Sequence, residues 1–302
     1  MTVSLDSRWP SAATLLTSEP RTDRRNVGVL GVSTYMTSLT PRGWHSTPAA
    51  VREALERFST WSYSDGLDLA ERAALVDYGD VFDPDGEGGH ERVAAHLARC
   101  DEGLDLMIVL GGDNAATFHA MAGIAGESLA EWGLVTLDAH HDLREGVSNG
   151  SPVRQLLETG LPGTQVVQVG LNDFANSAAY AASARDAGIT VVARGALRGR
   201  DIEVVADEAL AVAGATGRPV YVDVDLDAAD RSVVPGCPAA SPGGLSADEM
   251  RRFVRRVAAD PRVRAIDLTE VDVGRDSADQ RTVRLVALLV LEALAGVVGR
   301  GS

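Results

Sequence analysis

The chain has 302 residues, 45% hydrophobic and 24% charged, with a net charge of −15 at pH 7. That composition suits a soluble globular α/β protein, and the acidic balance excludes nucleic acid and anionic membrane as partners, since both need a basic footprint. All 28 basic side chains are Arg, so a local guanidinium can still reverse the field inside a pocket.

Residues 1–24 read as an irregular N-terminal arm, polar and carrying Pro10 and Pro20, with no basic segment leading into an apolar core. The absence of a secretory pattern predicts a cytoplasmic protein. From residue 25 to 300 the pattern is that of a single α/β domain. Short β-branched or Leu-rich runs predict strands at Val27–Val32, Ala74–Tyr78, Asp105–Leu110, Gly133–Asp138, Gln165–Gly170, Thr190–Val192, Pro219–Asp225 and Val263–Leu268. The first helix starts where Thr47 can cap and Pro48 fits the first helical position, with Val51, Leu55 and Phe58 recurring on one face. The same periodicity predicts helices near 90–100, 114–126, 150–159, 176–187, 201–215, 246–259 and 279–298. Leu285 to Val298 is the most apolar stretch, but Glu292 breaks it and it falls short of the ~20 residues of a membrane span. Cys100 and Cys237 lie far apart and fit neither a zinc knuckle nor a disulfide framework. Buried strands alternating with helices predict a three-layer αβα fold, with a mostly parallel sheet of about eight strands.

In such a fold, ligands bind beyond the carboxyl ends of the strands. Polar residues crowd there: Gly111-Gly112-Asp113-Asn114, Asp138-Ala139-His140-His141-Asp142, Asp223-Val224-Asp225-Leu226-Asp227, and Asp267-Leu268-Thr269-Glu270. Alternation along extended chain lets Asp138, His140 and Asp142 share a face, and likewise Asp223, Asp225 and Asp227. Carboxylates so gathered need compensating cations. A carboxylate-rich set with one imidazole suits Mn²⁺ or a similar ion. The bland alternative, that each acid is a loop residue or helix cap, weakens because two such clusters fall at predicted strand ends.

These segments resemble the ureohydrolase (arginase/agmatinase/formimidoylglutamase) family. Asp138 to Asp142 is similar to its DAHxD signature, Val222 to Gly236 to its DxDxxD…PG segment, and Gly111 to Asn114 to its GGDH. Thr47 to Arg52 and Asp77 to Val81 match weaker family segments, so the likeness spans about residues 27–298. The resemblance implies an arginase-like fold and two Mn²⁺ per subunit. It makes Asp138 and Asp225 bridging ligands, Asp142 a ligand of the first metal, and His140 and Asp227 ligands of the second; Asp142 or a nearby carboxylate is the expected carrier of the transferred proton. Glu270 would hold the substrate's cationic nitrogen group. His141 fills the variable slot and, by alternation, is expected to pack or support from behind.

Two departures shape the expected activity. Asn114 stands where the family supplies a histidine to the first metal, and an amide oxygen is the poorer ligand, so that site should be weaker. The outcomes are a normal pair with a carbonyl ligand, one firm and one labile metal, or a lost site. The stretch Ser148 to Gln155 lacks the histidine of true arginases. Instead Asp142-Leu143-Arg144 with Asn149-Gly150-Ser151-Pro152-Val153-Arg154-Gln155 resembles the formimidoylglutamases of histidine breakdown. Arg144, Asn149 and Arg154, with Glu270, become candidate substrate-binding residues, because forked guanidinium donors suit a dicarboxylate. The expected reaction is hydrolysis of N-formimidoyl-L-glutamate. An agmatinase or other guanidino-acid hydrolase is the alternative, and a metal-depleted, non-catalytic relative the second. Family likeness also implies a homo-oligomer, trimer or hexamer.

Overall fold

The computed structural model describes residues 6, 8–41 and 46–301. Its strands are β1 (Leu16–Thr17), β2 (Arg25–Val32), β3 (Trp61–Ser62), β4 (Leu67–Asp68), β5 (Ala73–Asp80), β6 (Leu106–Gly111), β7 (Gly133–Leu137), β8 (Val166–Leu171), β9 (Thr190–Ala193), β10 (Val220–Asp225) and β11 (Val263–Thr269). The helices are α1 (Thr47–Ala54), α2 (Gly89–Leu97), α3 (Ala115–Ala125), α4 (Pro152–Thr159), α5 (Ala178–Asp186), α6 (Ile202–Ala213), α7 (Ala247–Ala258) and α8 (Arg281–Val298). Nine strands form one parallel sheet in the order β1-β5-β2-β6-β11-β10-β7-β8-β9, and β3 and β4 make a separate small hairpin.

Alternation along the strands divides the core in two. On β10, Val220, Val222 and Val224 join the apolar layer under α1, α6, α7 and α8, while Tyr221 turns to the layer under α2, α3, α4 and α5. Both faces of the sheet are therefore covered, which is why its strands read as continuous apolar runs. The eight expected strands all occur, with ends shifted by a residue or two. The ninth is β1, two residues too short to show a period. Its neighbours Ala12 and Leu15 are 0% and 2% exposed, so the second half of the expected loose arm is anchored to the edge of the sheet through β5. Thr47 lies inside α1 rather than capping it, and its hydroxyl donates to the Val271 carbonyl at 3.1 Å. Among the described residues no helix is long and apolar enough to cross a membrane.

Candidate metal centre

The carboxyl ends of β6, β7, β10 and β11 lie side by side in the middle of the sheet. β7 delivers Asp138, and the irregular backbone after it carries His140 and Asp142. β10 ends on Asp225, whose Oδ1 accepts the Asp227 N–H at 2.7 Å and so starts the short turn that brings Asp227 back. Asp227 Oδ1 in turn accepts the Ala139 N–H at 3.0 Å, locking the two loops together.

Two groups of ligand atoms result, each with its members within 4.8 Å of one another: Asp138, Asp142 and Asp225, and Asp138, His140 and Asp227. They share Asp138. Asp142 adopts φ +51° and Glu270 φ +59°, a left-handed conformation that is strained for residues of their kind and that aims both carboxylates inward. Glu270 Oε1 accepts the Asn114 backbone N–H at 3.0 Å and the Asn149 Nδ2–H at 2.6 Å.

Burial dominates the electrostatics. Asp138 is 0% exposed, and burial followed by the Asp227 charge raises its carboxyl to about 7. Burial and Asp138 hold Asp142 well above the usual carboxylate range, and burial and Asp227 do the same to Asp225. Burial opposes a charged His140, yet Asp227, at 2.7 Å from its Nδ1, and Asp138 raise the ring to about 12. Asp227 is lowered by that imidazolium against its own burial. Without a metal, then, protons must neutralise this cluster. Asp138 Oδ2 is buried and has no hydrogen-bond partner. A divalent cation would serve both the orphan oxygen and the excess charge, and hard oxygen donors with one imidazole suit Mn²⁺.

Other candidates are placed differently. Asn114 presents its Nδ2–H to Asp142 Oδ2 at 2.5 Å, and its carbonyl oxygen accepts hydroxyls from Thr117 at 2.6 Å and Thr269 at 2.9 Å. Without a metal, Asn114 is thus a hydrogen-bond donor to Asp142. Arg154 is occupied by the loop that carries it. Its Nε donates to the Arg144 carbonyl at 2.6 Å, and its other donors go to Gly146 O and Glu158, so it clamps the loop instead of facing a substrate. Asn149 uses Nδ2 on Glu270 and accepts the Leu39 N–H at 2.9 Å, which makes it a positioning group. Arg144 is exposed and makes no ion pair among the described residues. Its stem lies over Gly150, where a Cβ would come within 2.7 Å of Arg144 Cδ.

Asp223 joins neither ligand group. It pairs in register with Asp267, and burial and the Asp267 charge hold its carboxyl well above the usual carboxylate range. Asp267 also accepts the buried Tyr221 hydroxyl at 2.9 Å. His141 turns away, as alternation predicts, and is fixed by Gln168 at 2.7 Å and by Asn176, which accepts its backbone N–H at 2.9 Å. Thr117 on α3, Gln168 on β8, Thr269 at the end of β11 and Asn176 in the loop before α5 support the site, and the sequence pattern assigned none of them a role.

The chain is 34% identical over 278 residues to the formimidoylglutamase of Halalkalibacterium halodurans, covering 89% of this chain and 86% of that protein. The crystal structure of formimidoylglutamase from Bacillus subtilis superposes with a TM-score of 0.89 at 28% identity, covering 98% of this chain and 94% of the other. Trypanosoma cruzi formiminoglutamase, solved with Mn²⁺, shares the fold with a TM-score of 0.84 at 22% identity, covering 97% of this chain and 99% of the other. The arginase family model matches residues 25–296, and the chain therefore belongs to the arginase family.

Proposed function

We propose that this protein hydrolyses the linear amidine C–N bond of N-formimidoyl-L-glutamate, giving formamide and L-glutamate, with Mn²⁺ as cofactor. The observation that carries the choice of substrate is Arg144, an exposed guanidinium that makes no ion pair among the described residues, on the loop that also supplies Asp142 and Asn149. A dicarboxylate needs such a group, whereas a cationic substrate such as agmatine is repelled by it. The formimidoylglutamases among the relatives support the same reading.

Asp138, Asp142 and Asp225 would hold one cation, and Asp138, His140 and Asp227 the other. When bound, the cations supply Lewis acidity and lower the pKa of the attacking water. Asn114 Nδ2 fixes Asp142, so that its carboxylate is positioned to take a proton and return it to the leaving nitrogen. Asn149 and the Asn114 amide fix Glu270, whose carboxylate receives the N–H groups of the planar amidinium. Arg144 takes the glutamate carboxylates. The same reading places the protein in the cytoplasm, in histidine breakdown, as a trimer or hexamer.

The test is a substrate panel on Mn²⁺-loaded protein, with metal content measured in the same sample. Formimidoylglutamate turns over faster than agmatine or arginine, and Arg144→Ala raises KM by ~10–100-fold, as expected for a lost charge-assisted contact of roughly 1.5–3 kcal/mol. Faster turnover of agmatine, unharmed by Arg144→Ala, rejects the dicarboxylate assignment. Protein that takes up no metal and hydrolyses none of these compounds is the non-catalytic relative.

A further inference from the structure

The opposite end of the sheet has its own concentration of charge. Where β2, β6 and β11 begin, a cavity of about 660 Å³ is lined by Arg25, Arg256, Arg264 and Arg300, with Glu102 and Asp105 on its wall. Four guanidinium groups against two carboxylates make it locally cationic in a chain of net charge −15.

The charges inside it are incompletely balanced. Arg300 is only 9% exposed. Its Nε, Nη1 and Nη2 donate to the Ala258, Asp105 and Val263 carbonyls at 2.8, 2.6 and 3.0 Å, but no carboxylate pairs with it among the described residues. Burial and then the Arg264 and Arg25 charges pull it down to about 10, with Asp105 and Asp260 working the other way. Arg264 is exposed, makes no ion pair among the described residues, and has one long hydrogen bond of 3.4 Å to the Leu104 carbonyl. The Asp105 carboxylate is already held, by Arg25 at 2.9 Å and the Asn26 N–H at 2.9 Å. Arg256 is paired with Asp207 at 2.6 Å. Glu102 lies at the exposed rim. A buried cation with no direct carboxylate partner among the described residues is costly even with Asp105 and Asp260 nearby, and forked N–H donors on guanidinium groups lining one cavity match the oxygens of a tetrahedral anion.

We propose that this cavity binds a small oxyanion of the phosphate class, at a site separate from the metal centre. The probe is inorganic phosphate, titrated calorimetrically into the full-length protein against chloride at equal ionic strength. Wild-type protein binds phosphate saturably, and Arg264→Ala weakens that binding about tenfold, the effect of losing one charge-assisted contact of roughly 1.5 kcal/mol. Arg264→Glu abolishes it. Both variants keep wild-type hydrolysis, since Arg264 lies at the opposite end of the sheet from the catalytic residues. Arg144→Ala, at the far end of the sheet, leaves this binding intact. No saturable binding overturns the proposal. So does binding that survives Arg264→Glu, or that disappears with Arg144→Ala, because the phosphate then occupies the substrate site.

Discussion

Removing metal should make this protein's stability fall as pH rises, and the magnitude can be worked from Asp138. Its carboxyl titrates near 3.8 when exposed and near 7 in the folded, metal-free site. A group raised on folding contributes stability that is full below its unfolded value and lost as pH climbs through its folded value. The gap between 3.8 and about 7 corresponds to ~4 kcal/mol at about 1.4 kcal/mol per pH unit, an order-of-magnitude figure. Asp142 and Asp225 are raised too, and His140, raised to about 12, loses its contribution progressively above its ordinary value of 6.5, so all act in the same direction. Bound Mn²⁺ replaces the protons as counter-charge, and ligand deprotonation makes its affinity rise with pH. The assay is thermal denaturation of chelator-treated and Mn²⁺-loaded protein from pH 5 to 8.5. The difference between the two midpoints isolates the cluster from other titrating groups. It should be small at pH 5 and grow steadily toward pH 8. A metal stabilisation independent of pH, or one retained in the double variant Asp138→Asn/Asp225→Asn, would refute the reasoning.

Asn149→Ala removes the Nδ2 donor on Glu270 and should lower kcat/KM by ~10–100-fold with metal content unchanged, as steady-state kinetics with elemental analysis would show; an unaltered kcat/KM contradicts its positioning role. Asn114→His supplies an imidazole beside Asp142 and should slow the loss of Mn²⁺ during dialysis, while the hydroxyls of Thr117 and Thr269 lose their acceptor and the metal-free protein becomes less stable; equal metal retention in the variant argues against it. Leu15→Ala should destabilise by ~2–5 kcal/mol in urea denaturation, because the side chain is 2% exposed in the core; a midpoint like that of wild type would mean the segment is only loosely attached.

Much of the fold is written locally. The strands and helices announce themselves through period and through alternation of apolar runs, because each buried element needs its own apolar face wherever it ends up. The residues that gather at the candidate metal centre were legible for a related reason: Asp138, His140 and Asp142, and Asp225 and Asp227, are each delivered by one short stretch of chain at a strand end. The β1 edge escaped notice because two residues carry no period.

What a side chain does with its hydrogen-bonding atoms depended on partners remote in sequence. Asn114 and Asn149 read as a ligand and a substrate contact, and folding adds hydrogen bonds to Thr269 and Glu270, more than a hundred residues away, that no local pattern shows. Arg144 and Arg154 are equivalent as letters, yet one is tied down by the loop carbonyls and the other left exposed. Asp223 belongs by spacing with Asp225 and Asp227, but the parallel register of β10 and β11 sets it against Asp267. The order of residues thus determined the elements, the family and the two strand-end stretches whose acids and imidazole gather, since these rest on short-range pattern. Only the packed sheet decided which polar groups are satisfied, which are left charged, and where the arginines of distant segments meet, because hydrogen bonding and burial are properties of neighbours brought together by folding.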